Sequence, residues 1–188
     1  MIIIEGPDTI GKTSLARMLC TVLNGIHQLP HAYAHMGCPA VELWTRHGAV
    51  GLHCERAARH SVQDRFHMSD LAYGAACRNG NFMMCPNRYA ILDSQLRSEL
   101  GAMTILMYDA DGGELIRQRW EQAREMYPLD RTLAVNRAYK EIAQAPGQRW
   151  RGYEATFDCV LPLRRDCMEM PAVVDVFLQS YLARYNAL

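Results

Sequence analysis

Lysine is nearly absent from this chain of 188 residues: of its 20 basic residues only Lys12 and Lys140 are lysines, and the other 18 are arginines. Net charge is absent too, because the 20 basic residues meet 20 acidic ones. That balance excludes binding to nucleic acid through a diffuse basic field, although a local groove stays open. No C-x-x-C pair occurs among the seven scattered cysteines. An odd count without a secretory pattern points away from a disulfide framework and towards reduced thiols in a cytoplasmic protein. The chain runs straight into a strand pattern at Ile2, so the reading expects no targeting peptide. No apolar run is long enough to span a membrane, and no repeat or low-complexity segment interrupts the chain.

What is present suits a real core. Hydrophobic residues make up 49% of the chain, which at this length predicts one domain over residues 1–188. The arginine excess has two readings, guanidinium recognition of phosphate or a codon composition that also favours alanine. Under either, a lysine stands at position 12.

Its surroundings carry the chemistry. Ile2, Ile3 and Ile4 form a β-branched run suited to a buried strand. Gly6 to Thr13 reads G-x-x-x-x-G-K-T, and Leu15, Leu19, Val22 and Leu23 then recur at helical spacing up to Gly25. Strand, glycine loop and helix form the context of a phosphate-binding P-loop. Gly6 and Gly11 let the backbone N–H groups of Pro7-Asp8-Thr9-Ile10 and their neighbours curl inward, Pro7 itself having none to give. The helix start at Lys12, Thr13 and Ser14 adds its partial positive charge. Lys12 can reach the β- and γ-phosphates of ATP, and the Thr13 hydroxyl can ligate Mg²⁺.

Beyond the loop, strands and helices alternate, which predicts an α/β fold: a mostly parallel five-stranded sheet with helices on both faces. His27, His31 and His35 are four apart and precede Cys38, a metal face if helical. Pro30 would break that helix, so the expectation is a loop near the active site. A helix is expected over 40–58. Ser61 to Gln63 reads as a short strand delivering Asp64 and Arg65 to the sheet edge where ligands sit in such folds. Helices are expected over 68–78 and 86–100, and a strand over 103–108. Asp109 and Asp111 read as strand-end and capping residues, with Asp111 or Gly112 starting a helix that carries Arg117, Arg119 and Arg124. Pro128 and Arg131 follow. A helix over 132–144, a turn at 145–147, a strand over 157–161 and a helix over 171–185 complete the chain. The last helix shows Val173, Val176, Phe177 and Tyr181 as its stripe.

Three stretches resemble the thymidylate kinases, most closely their compact phage-type members. EGPDTIGKTS is similar to that family's P-loop, DRFHMSDLAYG to its D-R-[YF]-x-x-S-x-x-A-Y stretch, and RQRWEQAREMYPLDRTLAVNRAYKEIA to its arginine-bearing lid and following helix. The resemblance implies a three-layer P-loop kinase fold with a lid over roughly 112–131, and an ATP- and Mg²⁺-dependent kinase. Gly6, Gly11, Lys12, Thr13 and Ser14 would hold donor phosphates and metal, and Asp8 would face the acceptor sugar. Asp64 would be a metal-shell or acceptor-activating carboxylate, and Arg65 would clamp the phosphates being joined. Ser69 and Tyr73 would line the acceptor pocket, and Arg117, Arg119 and Arg124 would serve the lid.

Plainer roles stay open for several of these. Asp64 and Arg65 could form a structural ion pair, and the lid arginines could be surface partners of Glu121 and Glu125. Tyr73 could be core.

The chain leaves the family pattern in one place. Where thymidylate kinases carry an arginine-proline-glycine segment that grips an acceptor monophosphate, this chain reads HQLPHAYAHMG. The expected acceptor is a pyrimidine, either a thymidine-like nucleotide or 5-hydroxymethyluracil within DNA, as in phage base hypermodification. A P-loop ATPase switch without a small acceptor is a further reading. No membrane partner is expected, and a homodimer is possible.

Overall fold

The computed structural model describes residues 1–35, 60–82, 86–123, 127–145, 149–151, 153–154, 156–165 and 170–186. The helix expected over 40–58, Cys38, the turn residues 146–147 and Arg124 lie outside the described residues.

Ile2–Ile4 open β1 (Ile2–Glu5), where β-branched side chains favour extended backbone. Both faces of this strand are covered. Ile2 and Ile4 pack with Leu15, Leu19 and Leu23, whereas Ile3 packs with Phe66, Leu96 and Leu100. The leucines lie on α1 (Lys12–Gly25) on one side and on α3 (Pro86–Leu100) on the other, where Phe66, just past the end of a neighbouring strand, joins them. The remaining strands of the main sheet are β2 (Ala32–His35), β3 (Ser61–Asp64), β4 (Met103–Asp109) and β7 (Cys159–Leu163). They lie in the order β2-β3-β1-β4-β7, and every pairing is parallel.

Two helical layers cover this five-stranded sheet. α1, α4 (Glu114–Ala123) and α6 (Met170–Asn186) supply Leu19, Ile116 and Phe177 to one core. α2 (His67–Cys77), α3 and α5 (Leu129–Gln144) supply Leu71, Tyr89 and Tyr139 to the other. Along β4 the sides alternate: Ile105 and Met107 face the first core, Leu106 and Tyr108 the second. The fold class read from the sequence, a three-layer α/β sheet, is the one observed.

Several boundaries differ from expectation. The expected loop after α1 contains the strand β2, an edge strand with Ala32 and His35 exposed, so it lacks the apolar run that marks buried strands. The non-helical path separates the three histidines that a helix would have aligned. The last strand lies two residues later than 157–161, because an exposed Pro162 is tolerated on the edge strand β7. α5 starts three residues before Thr132, directly after Pro128. In α6 the buried side chains are Val174, Phe177, Leu178 and Tyr181, while Val176 is 68% exposed, so the stripe is rotated from the expected one. A short antiparallel hairpin, β5 (Arg149–Trp150) and β6 (Tyr153–Glu154), was not signalled by periodicity. Among the described residues no helix is long and apolar enough to cross a membrane.

Candidate active site

The strand order places the glycine loop after β1 between the ends of β3 and β4, so Glu5, Asp64 and Asp109 share one sheet edge. In open α/β sheets this carboxyl edge is the ligand side. The loop must be thin where it leaves the sheet. A Cβ at Gly6 would lie 2.7 Å from the Met107 carbonyl oxygen, which leaves room for hydrogen only. Gly11 takes φ +103° at the N-cap of α1, and Thr9 takes φ +65°, a conformation that costs a non-glycine residue about 1–2 kcal/mol. The first turn of α1 carries no acidic residue, so its N–H groups and dipole are available to an anion. Lys12 is buried and its Nζ donates to the Pro7 carbonyl at 2.5 Å, which holds the ammonium inside the loop. Pro7 is buried, Ile10 is buried in the core and Ser14 is exposed, so these three contribute backbone or surface rather than a converging side chain.

Thr13 and Asp64 meet across the strand–helix cleft. Thr13 Oγ1 donates to Asp64 Oδ2 at 2.5 Å. The Tyr33 hydroxyl reaches the same oxygen at 3.3 Å and His35 Nδ1 at 3.2 Å. Burial first, and the Asp64 charge with it, push the Tyr33 phenol above its usual range, so it remains a neutral donor. Asp64 is fully buried, and its other oxygen, Oδ1, has no hydrogen-bond partner among the described residues. A hydroxyl beside a carboxylate with an orphaned oxygen fits a hard cation such as Mg²⁺, which takes few protein ligands and completes its shell with phosphate and water. No group of three or more His, Cys, Asp or Glu able to cage a metal occurs among the described residues.

Arg65 does not pair with the adjacent Asp64. It holds φ +72° and forms an ion pair with Asp8, and its guanidinium lies 5.2 Å from the Tyr73 ring centroid. The Tyr73 hydroxyl in turn donates to Asp8 Oδ2 at 2.8 Å. Asp8, Arg65 and Tyr73 thus form one closed cluster beside the glycine loop, with the Tyr127 ring 5.6 Å from that of Tyr73. The suggested Asp64–Arg65 ion pair is replaced by two separate pairings, because positive φ at Arg65 turns its side chain away from its neighbour. Backbone held in this region is commonly part of a functional site.

Ser69 has a different place from the one expected. Its hydroxyl donates to Glu5 Oε2 at 2.6 Å and lies 2.9 Å from the Tyr139 hydroxyl. Tyr139 also donates to Glu5 Oε2, at 3.0 Å, while the Phe66 and Met68 N–H groups donate to Oε1 at 2.8 and 3.1 Å. Burial, with the Glu5 charge second, raises the Tyr139 phenol well above its usual range. Glu5 is therefore a buried carboxylate that pins the start of α2, and Ser69 serves that anchor rather than an open acceptor pocket. Sequence reasoning does not single out Glu5 by itself; the available signal is a charge closing the buried strand Ile2–Glu5.

The arginines of α4 separate. Arg117 pairs with Glu114 at 2.7 Å on the surface. Arg119 Nη1 points back to the glycine loop, 3.3 Å from the Ile10 carbonyl and 3.5 Å from that of Thr9. Beside it lies an open cleft of about 440 Å³ lined by Leu115, Gln118, Arg119, Gln122 and Arg165. Trp120 Nε1 donates to the Tyr127 carbonyl at 3.3 Å. Asp109, rather than Asp111, caps α4: its Oδ2 accepts from the Ile116 N–H at 3.1 Å.

No family model matches this chain, and no curated protein matches its sequence. Among solved structures it is similar to the YorR protein from Bacillus subtilis, determined in complex with phosphorylated GDP. The TM-score is 0.64 at 14% identity, over 98% of this chain and 97% of that one. This likeness shows a shared three-layer α/β fold.

Proposed function

We propose that the protein is an ATP- and Mg²⁺-dependent phosphotransferase acting on a pyrimidine nucleoside or nucleotide. The observation that carries the reading is the pairing of two sites at one sheet edge. The glycine loop with Lys12 and the Thr13–Asp64 bond suits a triphosphate, and the Asp8–Arg65–Tyr73 cluster beside it suits a second substrate. An ATPase switch needs only the first of these.

In this reading the loop and the start of α1 bind the donor phosphates, and Lys12 leaves the Pro7 carbonyl for the β- and γ-oxygens. Thr13 and Asp64 would hold Mg²⁺, which neutralises charge on the phosphates when bound. Arg119 lies between the loop and the open cleft, where Gln118, Gln122 and Arg165 offer polar groups to a donor base. Tyr73, buried in the core, would hold Asp8 in place through its hydroxyl, and Asp8 would offer a hydrogen-bond acceptor for a sugar hydroxyl. The acceptor oxygen attacks the γ-phosphorus, and the bond to the β–γ bridging oxygen breaks to release the diphosphate. Catalysis here is mostly positioning and neutralisation of anions.

The acceptor has two forms, a thymidine-like monophosphate or a pyrimidine carrying a free hydroxyl, including 5-hydroxymethyluracil in DNA. The second is favoured by two observations. Arg65 is already neutralised by Asp8, and no arginine lies between Ile26 and Pro39 to grip a monophosphate. The test is transfer of label from γ-labelled ATP to dTMP, thymidine and duplex DNA containing 5-hydroxymethyluracil. Label in any of them supports the phosphotransferase. Hydrolysis with no acceptor labelled favours the switch.

A further inference from the structure

We propose that the donor site takes hold of the purine ring but not of its edge, so that GTP serves as phosphate donor as well as ATP. The inference rests on the phosphotransferase reading above and widens its donor class.

A base attached to phosphates in the glycine loop has the open cleft of about 440 Å³ beside it. One wall of that cleft is a single face of α4, where Leu115, Gln118, Arg119 and Gln122 recur at helical spacing. Arg165, two residues past β7, lines it as well. Leu115 is buried and supplies the apolar part. Arg119 links cleft and loop, because its Nη1 lies 3.3 Å from the Ile10 carbonyl. A guanidinium anchored there offers a flat cationic face, and stacking on such a face is indifferent to which base is stacked.

The base edge is where adenine and guanine differ: an N6 amino donor in one, an O6 acceptor in the other. A site rejects the wrong base strongly when that base strands a buried polar group without its partner. This cleft offers no such group. Gln118, Arg119, Gln122 and Arg165 are all exposed, so water satisfies whatever the base leaves unmatched. No hydrogen bond fixes either glutamine amide among the described residues, so each can turn its carbonyl or its NH₂ to the base. Among the described residues no carboxylate lines the cleft to accept from the N1–H and N2 amino group of guanine. Asp111, on the segment leading into α4, instead accepts from the Arg165 N–H at 3.3 Å and faces Arg164 Nε at 3.9 Å. Neither purine therefore meets a fixed pattern that would exclude the other.

The experiment uses the full chain with Mg²⁺. Calorimetry measures the affinities of the β,γ-imido analogues of ATP and GTP, and γ-labelled ATP and GTP are compared as donors to dTMP, thymidine and 5-hydroxymethyluracil DNA. The two affinities should agree to within about tenfold, and both donors should label the same acceptor. Gln118→Glu and Gln122→Glu keep the side-chain size and each place a carboxylate in the cleft. At least one of them should shift the GTP-to-ATP affinity ratio towards GTP by about tenfold or more, and the ratio cancels the repulsion of phosphates common to both nucleotides. A wild-type preference above about tenfold for either purine would overturn the proposal. So would a ratio unmoved in both variants, which would put the base outside the cleft. Equal binding of both analogues with no acceptor labelled from either donor would uphold the donor site and remove the phosphotransferase reading. Binding of neither analogue would remove both.

Discussion

The Thr13 hydroxyl and the Asp64 carboxylate, 51 positions apart, are joined by a hydrogen bond of 2.5 Å between the first turn of α1 and the end of β3. The bond ties the glycine loop to the strand that also delivers Arg65. Replacing Asp64 by Asn keeps the shape and removes the charge. ATP binding should stay largely intact, because the loop N–H groups and Lys12 are untouched. Transfer should fall by ~10²-fold or more. Steady-state kinetics with a separate ATP-binding isotherm checks this; unchanged turnover would return Asp64 to a purely structural role.

Glu5 makes a stability prediction. Both of its oxygens accept two hydrogen bonds in a site closed to water. Glu5→Gln turns an amide NH₂ towards donors that need an acceptor. The expected loss is about 2–3 kcal/mol, read from the shift in urea midpoint at constant slope. A shift below about 0.5 kcal/mol would mean that the anchor at the start of α2 is held by packing alone.

Arg117 and Arg119 sit two residues apart on α4 and should behave oppositely. Arg117→Ala breaks an exposed pair with Glu114 and an exposed bond to the Gly112 carbonyl, and should change stability and kinetics negligibly. Arg119→Ala removes the guanidinium from the Thr9 and Ile10 carbonyls beside the open cleft and should raise the KM for ATP by about tenfold. Equal effects in the two variants would show that α4 does not address the donor.

Much of this was legible beforehand, for physical reasons that differ by residue. The triple isoleucine, Gly6, Gly11 and the helical leucines of α1 are local signals, and they placed β1, the loop and α1 where they are found. Pairings between distant positions were not legible. Nothing in D-R at 64–65 shows that positive φ sends Arg65 to Asp8, or that Asp64 turns to Thr13. Ser69 was visible as a motif residue, but its partner Glu5 lies 64 positions away. β2 escaped because an exposed edge strand carries no apolar run, and with it went the placement of His35 beside Asp64.

His31 predicts a pH dependence away from the active site. Its Nδ1 faces the Leu29 carbonyl at 3.0 Å and its Nε2 the Tyr181 hydroxyl at 2.7 Å. Burial lowers its pKa from the ordinary 6.5, the positive N-terminus and His60 lower it further, and the Leu29 carbonyl opposes them. The unfolded chain therefore takes up the proton first. Stability is full above about pH 6.5 and is lost as pH falls below it towards the folded value. Thermal unfolding of wild type and His31→Gln between pH 8 and pH 5 should show the steeper acid loss in wild type. Parallel curves would contradict the assignment of a neutral, buried His31.

The central claim is that the loop around Lys12 feeds phosphate to an acceptor. The most direct measurement is acceptor labelling from γ-labelled ATP by wild type and by Lys12→Ala, side by side with dTMP, thymidine and 5-hydroxymethyluracil DNA. The account predicts a labelled acceptor with wild type and loss of at least ~10²-fold with Lys12→Ala. Retention of more than about a tenth of the transfer in Lys12→Ala, or hydrolysis by wild type with no acceptor labelled, would contradict it.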